Sequence, residues 1–478
     1  MNFNPAMIVP ELFQLLLILV LMAQSLCKGK SGIGAQTWTP IAAAFGIVLA
    51  VCALPNRGGM FYGVYEIDGL SQFFKLVIAA GFFVTTLNAS HQPTLEAEKR
   101  ADYYMFLALS AWGLMLLASA TELFTLYICL ELSSYSLYAI IALRAKEKGA
   151  AEAAIKYILY GAVATALALF GLSYVLAAQH TTYIAALSEL SWAWADQPMA
   201  VIGLSLFMAG MFYKLALFPF HFWCPDVYQG ASNETATFVA TLPKLGAVVV
   251  LIRLSSFLTP GLEITTILAV LGAVSMTFGN LAALAQRDVK RMLGFSSVAH
   301  AGYVMVGLVA GTPQGMAAAA FYALAYMSMN LLVFWVISRV ATDGRNLQLS
   351  DLNGLYKRAP ILALALGVGA LSLVGLPPTI GFIGKLFLIT AAWDHGYNWL
   401  VVILAVNSAI AVYYYFALVR HAFAEDQTAE EETTKVAPDT SALSLVGASV
   451  LSLAVVLLGI LPSTVFNYAV AAGQELIR

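Results

Sequence analysis

Charge is what this sequence has least of. Of 478 residues only 10% are Asp, Glu, Lys or Arg, against 61% that are hydrophobic, whereas a soluble domain carries about 25% charged residues. That scarcity excludes a string of ordinary water-soluble domains. A net charge of −2 with no basic patch leaves no footprint for nucleic acid. Cysteine is scarce as well: Cys27, Cys52, Cys129 and Cys224 stand apart, with no C-x-x-C pair. Such spacing excludes a disulfide framework, a zinc site or an iron–sulfur motif in this chain. No glycine-rich phosphate loop opens a helix after a strand, so the chain reads as having no cofactor, nucleotide or metal site of its own. The stretch "MNFNPAMIVPELFQLLLILVLMAQSLC" lacks the basic start and small-residue cleavage site of a signal peptide. It reads as a first membrane span.

Long apolar runs are what the sequence does have. Windows of about 20 apolar residues give fourteen candidate spans, near 6–26, 38–54, 70–90, 103–120, 122–143, 155–178, 199–223, 235–257, 263–284, 292–310, 315–338, 360–393, 398–419 and 441–467. The expected fold is all-α, a polytopic membrane protein of about 14 transmembrane helices. Sixteen lysines and arginines fall in odd-numbered loops, among them Lys99, Arg100, Arg287, Arg358 and Arg420. The even side holds only Arg57, Arg253 and Arg478. Basic residues collect on the cytoplasmic side, so odd loops are expected there and both termini on the external side. Trp192, Trp194, Trp393 and Trp399 fall at outer span ends, as an aromatic belt would place them.

Five lysines lie inside apolar spans: Lys75, Lys156, Lys214, Lys244 and Lys385. Lys75, a turn inside the outer end of its span, is expected to snorkel. For Lys156, near a cytoplasmic end, snorkelling and a buried role weigh equally. The other three are deeper, where an unpaired charge costs about 2.5–3.5 kcal/mol or more. They call for an aqueous or paired interior. Glu131 answers them from the middle of span 5, and its spacing with Ser134 and Tyr135 makes one polar stripe. A single buried ion pair locking two helices would account for one lysine, not three.

Two spans should be broken. Span 7 contains Pro219 and runs into Pro225; span 12 contains "VGLPPTIGFIGK", with Pro377 and Pro378 adjacent. Each proline removes a backbone donor and clashes with the turn before it. Interrupted helices at matching places in two halves point to an ion site, and here each carries a lysine. Spans 7 and 12 are five apart, so spans 4–8 and 9–13 form two five-helix repeats. Five being odd, the second copy is inverted. The expected division is 1–100 for helices 1–3, 101–260 for the first repeat, 261–424 for the second, and 425–478 for an acidic loop and the last helix. The run "EDQTAEEETTK" at 425–435 reads as a solvated cytoplasmic loop.

The stretches "LELSSYSLY", "EAAIKY", "KLALFPFHFWCPDVYQGA", "RDVKRMLGFSSVAHAGY" and "GLPPTIGFIGK" together resemble the antiporter-like membrane subunits of respiratory complex I over nearly the whole chain. A length near 480, "PDVYQGA" and a lysine at 385 align it with subunit N of the bacterial NADH-quinone oxidoreductase rather than its sisters, one of which ends in an added lateral helix. No such helix is expected after span 14. The resemblance implies a proton-translocating subunit in the bacterial inner membrane, among sister antiporter-like subunits and other membrane partners. NAD, FMN, iron–sulfur clusters and quinone would then belong to partner subunits. By resemblance Glu131 modulates Lys214, Lys244 is the central connecting lysine, and Lys385 lies at the outward half-channel. Lys156, His221 and His300 match further polar positions, the histidines as relays or as hydrogen-bonded core residues. The chain departs from the family after "YQGA", where "SNETATF" puts Asn233 and Glu234 in place of proline and small residues. A cation/proton antiporter subunit and a hydrogenase- or ferredoxin-linked relative share the motifs. An inert membrane spacer is the contrasting reading, and the lysine series argues against it.

Overall fold

The computed structural model describes residues 5–27, 34–144, 148–256, 258, 262–393, 395–425 and 436–476. Lys28, Lys30, Lys146, Lys435, Arg478 and nearly all of the acidic run lie outside the described residues. Helices α1 Val9–Leu26, α2 Ala35–Ala53, α3 Gly69–Asn88, α4 Arg100–Ser119, α5 Leu123–Ile141 and α6 Lys148–Gln179 come first. After a single turn, α7 Ile184–Leu187, follow α8 Pro198–Leu215, α9 Trp223–Gly230, α10 Asn233–Ser255, α11 Glu263–Leu284, α12 Val289–Leu308 and α13 Pro313–Val340. Another short turn, α14 Leu355–Arg358, precedes α15 Pro360–Val374, α16 Ile380–Trp393, α17 Asn398–Phe423, α18 Ala442–Ile460 and α19 Ser463–Leu476. A small antiparallel hairpin, β1 Gly58–Met60 with β2 Tyr65–Ile67, joins α2 to α3.

Among the described residues, 12 helices are long and apolar enough to cross a membrane. The other two expected spans are α12, whose first turn carries Lys290 and Arg291, and the pair α15 and α16. Side chains finish the helix starts. Asp68 and Ser71 form a capping box at α3, Glu122 accepts the N–H groups of Phe124 and Thr125 at α5, and Ser232, Asp288 and Thr312 cap α10, α12 and α13.

Both expected breaks are present. α8 stops at Ala216, which is left-handed with φ 63, and the chain turns past Pro219 before α9. α15 stops at Gly375, φ 91, just before Pro377 and Pro378. The packing repeats in the two halves. α4 lies against α5 and α10, and α6 against α8; correspondingly α11 lies against α12 and α17, and α13 against α15 and α16. Seams between the halves run through α10 with α13 and α9 with α12.

Two details differ from expectation. The helix expected over 441–467 is two, α18 and α19, because Pro462 cannot continue the hydrogen-bond ladder. Gly459, near the end of α18, packs against Pro378 and Thr379 at the α15–α16 break. α19 then runs along α13 and α3, with Phe466 stacked on Phe387 at 3.7 Å. Of the four tryptophans, Trp194, Trp393 and Trp399 are exposed, but Trp192 is buried and donates to the Leu187 carbonyl. Both described chain ends meet one face: Asn56 Nδ2 donates to the Ala6 carbonyl at 3.0 Å, and the Gly69 N–H donates to Glu475 at 2.7 Å. An even number of crossings requires that.

Candidate functional site

Lys214 occupies the last turn of α8 and is 3% exposed. Its Nζ lies 5.3, 5.2 and 5.1 Å from the ring centres of Tyr138, Tyr157 and Tyr213, with no hydrogen-bond partner among the described residues. Ring faces carry negative potential, and each such contact is worth about 0.5–2 kcal/mol, most where water is excluded. The cage is itself held. Tyr213 donates to the Tyr157 carbonyl at 2.7 Å, and Trp223 Nε1 donates to the Tyr213 carbonyl at 2.7 Å.

Glu131 accepts from Tyr127 at 3.1 Å and Thr165 at 3.0 Å. It makes no direct ion pair among the described residues, and its charge acts on Lys214 at longer range. The expected stripe splits: Tyr135 points outward at 64% exposure, and Ser134 donates to its own helix at the Leu130 carbonyl. Lys156 is half-exposed and does not join the lysine axis. Its Nζ lies 2.7 Å from both Glu152 and Asp226, and Asp226 also holds Arg291 at 2.5 Å. This cluster ties α6 and α12 to α9, the short half of the broken helix.

Lys244, 3% exposed, sits at the middle of α10 with its Nζ 5.8 Å from the Tyr228 ring and 5.4 Å from that of Tyr326. It lines a small void of about 10 Å³ together with Ser297, His300 and Tyr326, roughly the room one water needs. From there a polar chain continues. Ser297 bonds Tyr228 at 3.1 Å and also bonds Tyr326. His300, one turn further along α12, has both ring nitrogens engaged, Nδ1 with Tyr322 at 2.7 Å and Nε2 with Tyr415 at 3.1 Å. Tyr322 packs on Tyr303, whose ring centre lies 4.6 Å from the Nζ of Lys385.

Lys385 answers the break in α15 directly. In an unbroken helix the carbonyls of Leu373 and Val374 would accept from residues 377 and 378. Both are prolines and have no N–H. The Lys385 ammonium takes their place, donating to Val374 at 2.7 Å and Leu373 at 3.4 Å, at the negative end of the helix dipole. Gly375 permits the approach, since a Cβ there would come within 3.0 Å of the Lys385 chain. His221 stands apart from the lysines, among the rings of Phe218, Phe222 and Phe278, with Nδ1 unpartnered among the described residues.

Lys75 does not snorkel. It is fully buried, paired at 2.6 Å with Glu11, which also accepts from Tyr65 at 2.5 Å. Beside this pair Arg253 grips Asp68 at 2.8 and 3.1 Å. Burial pushes the Asp68 carboxyl up, but the guanidinium and the hydrogen bonds from Ser71 together outweigh it and hold the group below the usual carboxylate range. Sequence reasoning overlooked the tyrosines of the axis, although eight phenols near three lysines in apolar spans were a usable signal. It also overlooked Glu11.

Residues 120–411 match the family described as NADH:quinone oxidoreductase/Mrp antiporter, TM. The chain belongs to that family. The segment shared with the NADH:quinone oxidoreductase/Mrp antiporter family contains Glu131, Lys156, Lys214, His221, Lys244, His300 and Lys385, while Glu11 and Lys75 lie outside it. The chain is 60% identical over 468 residues to NADH-quinone oxidoreductase subunit N 2 of Solidesulfovibrio magneticus, covering 98% of each chain. It is 43% identical to the protein of that name from Opitutus terrae, over 95% of each. Among solved structures, a chain of respiratory complex I from Thermus thermophilus with bound aureothin has a TM-score of 0.83 at 31% identity, over 96% of this chain and 99% of that one. A chain of an Mrp complex from a Dietzia species shares the fold at a TM-score of 0.86 and 20% identity, over 99% and 98%.

Proposed function

We propose that this chain is the subunit-N-type proton-translocating membrane subunit of a complex I-type NADH-quinone oxidoreductase. It couples quinone reduction elsewhere in the assembly to proton transfer along Lys214, Lys244, His300 and Lys385. One observation carries the reading: three lysines buried to 5% exposure or less, Lys214 and Lys385 at the two helix breaks, with a chain of tyrosine, serine and histidine running from Lys244 to Lys385. Glu131 sets the charge balance at Lys214. At about 6 Å and an effective dielectric of about 20, a carboxylate stabilises an ammonium by roughly 2.8 kcal/mol. Moving one charge against 100 mV takes about 2.3 kcal/mol, so shifts in such a pair have the size needed to load and release a proton. NAD, FMN, iron–sulfur clusters and quinone belong to partner subunits, and sister antiporter-like subunits flank this one in the bacterial inner membrane. The basic residues put the odd loops in the cytoplasm and both ends outside.

The test is Lys214→Met in the assembled complex. Proton uptake into vesicles should fall to a small fraction of the wild-type rate at matched complex content, because methionine fills the site without carrying charge. Normal uptake would return Lys214 to a structural role. Uptake that tracks sodium instead would favour the antiporter reading that the family description also covers.

A further inference from the structure

A second polar track reaches Lys244, from the face opposite the chain ends, and the lysine series does not use it. α10 starts there with Asn233 and Glu234. Glu234, Thr237, Thr241 and Lys244 follow at intervals of three, four and three residues, so they share one face of the helix and rise about 15 Å along it. All four are buried, at 3%, 0%, 0% and 3% exposure.

The track begins at the surface. A cavity of about 580 Å³ is lined by Gln92, His91, Arg100 and Gln36. Gln92 Nε2 donates at 2.7 Å to Ser232, the residue that caps α10. Asn88, one turn earlier on α3, donates at 3.1 Å to both Thr237 and Ser338. Along this line Gln92 Oε1, Asn88 Oδ1, Asn233 Oδ1 and Glu234 Oε2 are all buried without a hydrogen-bond partner among the described residues. Buried polar oxygens are bonded to ordered water where protein donors do not reach them.

A structural role for Glu234 would look different. The other buried acids are tied down among the described residues: Glu11 and Asp68 by Lys75 and Arg253, Glu122 and Asp288 by the N–H groups of helix starts. Glu234 makes no such ion pair among the described residues: its own backbone and Ser232 lie within hydrogen-bonding reach of the carboxylate, and the charges of Lys290 and Arg339 act at longer range. A carboxylate buried with one free oxygen, facing a column of hydroxyls, is placed to take and give a proton.

We propose that Glu234 is a proton-loading carboxylate that refills Lys244 from the cytoplasmic cavity beside Gln92, by way of Thr237 and Thr241. The inference rests on the proposed function, in which the charge of Lys214 drives the proton of Lys244 towards Lys385. Water in the cavity gives a proton to the Glu234 carboxylate, leaving it a neutral acid. The hydroxyl column passes a proton to the neutral amine of Lys244, which becomes ammonium, and Glu234 returns to carboxylate.

The experiment uses the whole complex in vesicles. Glu234→Gln keeps the shape and should lower proton uptake by roughly a hundredfold or more, the scale of a lost acid–base group, while Glu234→Asp recovers part of it. Thr241→Val should lower uptake as well. Its hydroxyl donates only to its own helix, at Thr237 and Phe238, so valine leaves the packing between helices intact. During turnover the infrared difference spectrum of the wild-type complex should show a carboxylic acid C=O band that is missing in Glu234→Gln. Wild-type uptake in assembled Glu234→Gln, with uptake lost in Lys214→Met, overturns the refilling track and leaves the lysine axis standing. Normal uptake in Lys214→Met sinks the function itself. If Glu234→Gln does not assemble, Thr241→Val decides, and wild-type uptake in that variant overturns the track.

Discussion

Lys385 has two separable roles, and its substitutions tell them apart. It replaces the two backbone donors that Pro377 and Pro378 lack, and it is the last buried charge on the axis. The bond to Val374 is short at 2.7 Å and that to Leu373 long at 3.4 Å, so most of the capping energy sits in one contact. A hydrogen bond to a charged donor contributes about 1.5–3 kcal/mol. Lys385→Met should therefore cost about 2 kcal/mol, roughly a 30-fold change in the equilibrium between the intact and locally opened break. Lys385→Gln is the informative partner, because its amide can still donate to Val374 but does not carry a proton. Two quantities are measured side by side: the fraction of complex that survives a heat challenge, and proton uptake per electron delivered to quinone. The methionine variant should lose both heat tolerance and uptake. The glutamine variant should regain heat tolerance and still not pump. A glutamine complex that pumps at the wild-type rate would refute the reasoning, since the lysine would then be a cap and nothing more.

Three further expectations follow from the same geometry. Lys75→Met should destabilise the assembled complex by about 3–5 kcal/mol by stranding the Glu11 carboxylate, and adding Glu11→Gln should recover most of that; additive losses in heat tolerance would count against the pair. Reporter fusions after Lys148 and Gln179 should give cytoplasmic and external signals respectively, and the reverse pattern would invert every half-channel. Glu131→Gln should also lower proton uptake, and the double variant with Lys214→Met should be little worse than the worse single; independent effects would mean that Glu131 does not act through Lys214.

Much of this molecule was legible before any coordinates. Apolar windows are set by bilayer thickness, so the spans follow from composition alone, and the skew of lysine and arginine gives the orientation that the reporter fusions test. Proline acts locally, through its missing N–H, so the breaks at Pro219 and Pro377 could be read from a few letters. The lysines inside apolar runs marked the axis for the same reason: their cost in hydrocarbon does not depend on their neighbours. What each lysine touches was a different matter. Nothing in the chain order brings Glu11 to Lys75, 64 residues on, or encloses Lys214 in three tyrosine rings from three helices. Partners across a bundle are chosen by how helices pack, and hydropathy carries no record of that packing. The rows of hydroxyls along α10 and the prolines of α15 show both levels at once. Their spacing is written in the sequence, but only the fold set a surface cavity at the start of one row and the ammonium of Lys385 against the two carbonyls that the prolines left bare.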